Sequence, residues 1–241
     1  MPWLKVLALF FISASSALPQ EIDYETVRLS RIATAIRVTE KITLDGKLEE
    51  KAWTQAIPIT DFTQHRPHHG EPATQRTEAR FIYDDGNLYI AVSCFDSDPE
   101  RITVNSIQRD YPTQESDGIT VLIDSLHDRR SAFSFVTNPA GARRDQQVSN
   151  DGQGNLDWDG VWDVKTSRNS EGWIAEYMIP FKTLRFTNSP SQEWGLQVSR
   201  RVPRLNEEVH WSPLPQRWRL GPETPPLTSP CALPLATRTS L

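Results

Sequence analysis

The chain has 241 residues and a formal net charge of −5. That is enough length to bury a full core without metals or disulfides, and too acidic for a general nucleic-acid binder, which presents a basic face. Eighteen prolines and eight tryptophans, with few long helical patterns, point to a domain rich in strands and loops.

The first segment, "MPWLKVLALFFISASSALPQ", carries Lys5, an apolar run from Val6 to Ile12, and small residues at Ser15 and Ala17. This is the order of a cleaved secretory signal, and the run is too short to span a bilayer. Residues 1–19 are therefore expected to be a signal peptide, which implies a secreted, periplasmic or outer-membrane-associated protein. Residues 20–35 form a polar leader without clear periodicity. In "IRVTEKITLDGKLEEKAW", Ile36, Val38, Ile42 and Leu44 have strand character and Asp45-Gly46 makes a turn. Leu48, Ala52 and Ala56 then mark one face of a short helix, with Asp45 at its cap and Trp53 packed inward. "HRPHHGEP", residues 65–72, holds three histidines, yet Pro67, Gly70 and Pro72 make it an exposed loop rather than a metal site.

"ARFIYDDGNLYIAVSCFDSDP" predicts an antiparallel hairpin. Phe81 and Tyr83 alternate before Asp85-Gly86, and Leu88, Ile90, Val92 and Cys94 alternate after it. An Asp-Gly pair supplies the positive φ that a tight turn uses. Cys94 therefore reads as a buried thiol; Cys231, in the C-terminal tail, is its one potential disulfide partner. Short strands follow at "GITVLIDS", "SAFSFVTNP", "VWDVKTS", "GWIAEYMIPF", "EWGLQVSRRV" and "EEVHWSPL". Regular recurrence of short strands predicts an all-β fold, an antiparallel β-sandwich of jelly-roll or immunoglobulin-like type with one short N-terminal helix. The sandwich is expected over residues 36–215. Seven prolines from Pro213 onward leave residues 216–241 as a tail with no element of its own.

These motifs, in this order, resemble the family 9 carbohydrate-binding-module-like (DOMON-like) domain, in the version found at the N-terminus of large outer-membrane proteins. The resemblance implies a sandwich that binds the ends of xylan- or cellulose-type chains in support of polysaccharide catabolism. Xylanase-linked members clamp a sugar between two tryptophans and carry structural calcium. It also implies an outer-membrane β-barrel as associate, so that this chain is either a stand-alone secreted module or a truncated form of a longer protein. A structural or gating domain without sugar affinity is the alternative.

A sugar site needs an exposed aromatic ring beside polar groups. In "NLDWDGVWDV", Trp158 lies in a polar loop and Trp162 enters the next strand; the two are the candidate platform. Asn138, Arg144 and Gln146, in "TNPAGARRDQQ", offer donors and acceptors suited to sugar hydroxyls. Calcium takes six to eight hard oxygen ligands, and Asp96, Asp98 and Asp117 are its candidates. Glu176 is a mid-strand acid, but no second carboxylate is nominated for glycoside hydrolysis and no G-x-S-x-G nucleophile motif occurs. The chain reads as a monomeric binding module rather than an enzyme, with an oligo- or polysaccharide as partner and no nucleic acid.

Overall fold

The computed structural model describes residues 23–149, 153–189, 191–214 and 229–236. The expected signal peptide and Trp218 lie outside these residues. The chain runs through α1 (Tyr24–Ser30), β1 (Ile36–Arg37), α2 (Lys51–Gln55), β2 (Thr63–Arg66), β3 (Thr77–Tyr83) and β4 (Asn87–Phe95). It continues through β5 (Gly118–Asp124), β6 (Ala132–Thr137), β7 (Arg143–Ser149), β8 (Gln153–Asn155) and β9 (Asp163–Asn169). Last come β10 (Gly172–Pro180), β11 (Ser191–Val202), β12 (Glu207–His210) and β13 (Ser229–Ala236). Among these residues no helix is long and apolar enough to cross a membrane.

Two sheets form the expected sandwich. The smaller has the order β1-β3-β4-β10-β9, and the larger β2-β12-β11-β5-β6-β7-β8, with β13 also paired to β11. All pairings are antiparallel except β1 with β3. Period-two alternation puts the apolar set of each strand between the sheets. Cys94 faces Trp173, Val92 faces Ala175 and Ile90 faces Tyr177 across β4 and β10; Val121 of β5 faces Val198 of β11 and Phe135 of β6. All of these are buried, as the sequence predicts for Trp173 and Cys94. Cys94 is a free thiol pushed up to about 12 by burial.

The smaller sheet is covered on its outer side as well. There α2 and the segment before it set Trp53, Ala52, Val38 and Ile42 against Ile82, Tyr89 and Ala91. Trp53 thus packs inward as predicted, at 1% exposure. The helix is capped differently from the expectation. Asp45 spends Oδ1 on the amide of Lys47, while Glu40 reaches the Ala52 amide at 2.8 Å. The Asp45-Gly46 turn is instead fastened to the sheet by Glu176, whose Oε2 accepts both turn amides at 3.0 and 2.9 Å. Gly46 sits at φ +82°, and a Cβ there would meet the Thr166 carbonyl carbon at 2.9 Å.

Four further differences have local causes. The β3–β4 turn needs no positive φ at Gly86, because Asp84 Oδ1 accepts the amides of Gly86 and Asn87 and closes the turn itself. Part of the expected histidine loop is β2, held in register by β12. β7 escapes the alternation rule because neither of its faces is plainly apolar: its buried residues are Asp145 on one face and Val148 on the other. α1 and β13 fall in segments expected to carry no element, and β13 forms through backbone pairing with β11.

Candidate functional site

The alternation of β7 decides how the predicted binding residues relate. Arg143 and Asp145 point to the side of the Trp158–Trp162 loop: Arg143 donates to the Trp162 carbonyl at 2.7 Å, and Asp145 accepts the Gly160 amide at 2.6 Å. Arg144 and Gln146 point the other way, because side chains one residue apart on a strand leave opposite faces. The structure therefore separates the tryptophans from the polar pair expected to work with them.

Neither tryptophan is a free platform. Trp162 is 4% exposed, stacks on Tyr177 at 5.9 Å and 15°, and meets Phe135 edge-on. Trp158 is half-buried against Phe133 and Phe135, with ring centroids 5.0 and 6.1 Å away. Its ring also covers Gly160, where a Cβ would lie 2.5 Å from it. The pair packs against Phe133 and Phe135 of β6 and Tyr177 of β10. Asn138 is fully buried and spent on shaping its own turn. Its Oδ1 takes the amides of Ala140 and Ala142, and its Nδ2 donates to the Ser106 carbonyl.

The three candidate calcium ligands do converge, but on guanidinium groups. Arg204 binds Asp96 through both nitrogens at 2.9 and 2.6 Å, and Arg200 stands 3.6 Å from the same carboxylate. Asp117 Oδ2 takes the Thr103 amide, its Oδ1 is buried without a partner, and burial pushes the carboxyl up. Asp98 gives its amide to Asp96. Two arginines already supply the positive charge a cation would bring, and Arg204 occupies both carboxylate oxygens of Asp96. The donor set does not fit calcium, and no group of three or more His, Cys, Asp or Glu among the described residues is placed to hold a metal.

The outer face of the larger sheet is partly open: Ser199, Arg201, Thr120, Leu122, Arg144 and Gln146 are half-exposed, while Gln197, Ser134, Val136 and His210 are buried. Three cross-strand rows can be read from the register. One runs Arg66, Glu208, Arg201, Gly118. The next runs His210, Ser199, Thr120, Val136, Arg144. The third runs Gln197, Leu122, Ser134, Gln146. From β2 to β7 the face crosses six strands, about 24 Å at the usual strand spacing.

At the β2 end, His65 packs edge-on against His69 and His210, with centroids 5.8 and 5.5 Å away. Glu208 accepts from Arg66, from Arg201 at 3.2 Å and from His210 at 3.1 Å. Burial works against ionising Glu208, but these partners outweigh it and hold its carboxyl far below the ordinary range. Burial, with His210 beside it, lowers His65 to about 4, so its ring is neutral at pH 7. Nδ1 of His65, Nδ1 of His210 and Oη of Tyr111, whose side chain covers Val136, are buried without a partner. Unsatisfied buried polar atoms are uncommon and call for an explanation. Polar rows with spare hydrogen-bonding atoms, edged by flat rings, suit a hydroxyl-rich ligand. Residues 199–201 and 207–210 alternate in a way the sequence could have shown, but a buried Arg200 blurs the signal.

A hollow of about 680 Å³ opens at one end of the sandwich between the β3–β4 turn and the segment that holds Phe181 and Gln192. Arg37 pairs with Asp85 on its rim, and Lys182 and Arg185 against Asp84 leave its lining one positive charge in excess.

The family model for the carbohydrate family 9 binding domain-like domain matches residues 44–201. Exoglucanase XynX of Acetivibrio thermocellus is 27% identical over 70% of this chain and 14% of its own length. Endo-1,4-beta-xylanase A of Thermoanaerobacterium saccharolyticum is 26% identical over 73% of this chain and 14% of its own. This chain thus spans about a seventh of either relative. A carbohydrate binding module family 9 from Caldicellulosiruptor kristjanssonii, in complex with glucose, superposes at a TM-score of 0.58 and 12% identity, covering 88% of this chain and 99% of that one. Its cellotriose complex gives 0.57, again at 12% identity, with 87% and 96% covered. At that identity the likeness is one of fold.

Proposed function

This chain belongs to the carbohydrate family 9 binding domain-like family, a family of non-catalytic binding modules, and from that premise we propose that it binds oligo- or polysaccharide on the outer face of its larger sheet. The observation that carries the reading is the family match over residues 44–201. The place is supported by the polar rows, the histidine rings and the unpartnered atoms of His65, His210 and Tyr111. A sugar would lay its C–H face on the rings and exchange hydroxyl hydrogen bonds with Ser199, Thr120 and Gln146, which are partly exposed. The xylanase and exoglucanase relatives make β-1,4-linked xylo- and gluco-oligosaccharides the first ligands to try. They also support an extracellular or envelope location, with a signal peptide and an outer-membrane barrel associate as the finer part of the same proposal. A gating domain without sugar affinity is the less favoured reading.

The test is calorimetric titration with xylohexaose and cellohexaose, followed by amide-resolved NMR. Binding is expected in the millimolar to micromolar range, with shift changes on β12, β11 and β5. No heat at millimolar sugar from a folded sample refutes the function. Shift changes confined to the hollow beside Phe181 and Gln192 refute the place.

A further inference from the structure

The three rows on the outer face carry three guanidinium groups, Arg66, Arg201 and Arg144, against one carboxylate, Glu208. This is a positive surface on a chain whose net charge is −5. Two further acids on the same strands stand away from Arg144: Asp124 is four residues along β5 from Thr120, about 13 Å at the usual rise, and Glu193 is exposed near the far end of β11. Charges more than about 10 Å away are largely screened at ordinary ionic strength, so the local guanidinium groups rather than the net charge set what the face attracts. Glu208 is shared by Arg66 and Arg201. Half-buried Arg144 has no carboxylate partner among the described residues; its Nη1 donates at 3.1 Å to the carbonyl of Tyr111. The Tyr111 side chain reaches from there toward β5, its hydroxyl 3.8 Å from where a Cβ on Gly118 would stand, and Gly118 is the cross-strand neighbour of Arg201. Buried Tyr111 thus links Arg144 to the Gly118 end of β5 on a face otherwise built for hydroxyls.

Resting on the reading that this face binds sugar, we infer that its ligand is acidic: a β-linked chain bearing uronic acid, whose carboxylate is taken by Arg144. A guanidinium offers two parallel N–H donors that match a carboxylate. A neutral glucan would leave that charge facing only a backbone carbonyl. The excess of guanidinium over carboxylate at the Arg66–Arg201 end gives a second point of attraction to a longer acidic chain.

The experiment titrates the full chain with xylotetraose bearing one methylglucuronic acid, and with the same compound after its carboxyl is reduced to the alcohol. The acid is expected to bind about tenfold more tightly, the worth of one charge-assisted hydrogen bond on a partly exposed face. Raising NaCl from 50 to 500 mM is expected to erase most of that ratio, and Arg144→Gln to lower it below about threefold. Because Arg144 also holds the Tyr111 loop, the wild-type ratio and its salt dependence decide the matter without the variant. Equal binding of both compounds overturns the acidic ligand and leaves the sugar-binding function standing. Binding of neither overturns both. A full ratio in Arg144→Gln overturns the assignment to that residue.

Discussion

Replacing Glu176 with glutamine tests how the outer layer is fastened to the smaller sheet. Glu176 is fully buried, and burial, with Glu50 and Asp45 nearby, raises its carboxyl from 4.5 to about 7 against the pull of the Gly46 and Asp45 amides. A group whose folded-state pKa is raised stabilises the fold fully below its unfolded value, and that contribution is lost as pH rises through the folded value. The window here is pH 4.5 to 7. A rise of that size corresponds to about 3 kcal/mol at 1.36 kcal/mol per pH unit. Glutamine keeps the carbonyl oxygen that accepts both amides but cannot ionise. The variant should therefore gain on the wild type as pH goes from 5 to 8, by roughly 6–10 °C in relative Tm. The difference between the two proteins is the quantity to measure, by scanning calorimetry, because His65 titrates across an overlapping window with the opposite slope. Parallel Tm–pH curves for the two proteins would refute the reasoning: Glu176 would then carry the same proton in the folded and unfolded chain.

Arg204→Gln leaves buried Asp96 without its bidentate partner and should cost about 3 kcal/mol in urea unfolding, while EDTA leaves the wild-type Tm unchanged; a fall in wild-type Tm on chelation would show that a metal takes part after all. Trp158→Ala should lower stability by about 2 kcal/mol through the packing lost against Phe133 and Phe135, with sugar affinity retained in the calorimetric titration; loss of binding from a folded variant would return Trp158 to the site. His65 is held at about 4, below its usual 6.5. A lowered histidine stabilises above its unfolded value and loses that contribution as pH falls through its folded value. His65→Gln should therefore flatten the acid limb of the Tm–pH curve between pH 6.5 and 4, and an unchanged limb would count against the neutral ring.

The hydrophobic strands were legible in the chain because one face of each had to meet the opposite sheet, and alternation records that demand residue by residue. Trp53, Trp173 and the hairpin around Asp85-Gly86 followed from local pattern alone. The family resemblance rested on the same motifs. β2 and β7 were not legible: Arg66 of β2 finds its partner in Glu208, 142 residues on, and the mixed polar pattern of β7 marks no core face. The aspartates proposed for calcium looked like ligands until Arg204, 108 residues beyond Asp96, arrived between them. Trp158 and Trp162 were visible as a pair in the sequence, but whether a ring faces water depends on what stands opposite it. The order of the strands put Phe133, Phe135 and Tyr177 there. Which side of most strands is apolar is written in the chain. Which polar residues share a face is settled by packing, because a cross-strand neighbour is set by register and not by distance along the chain.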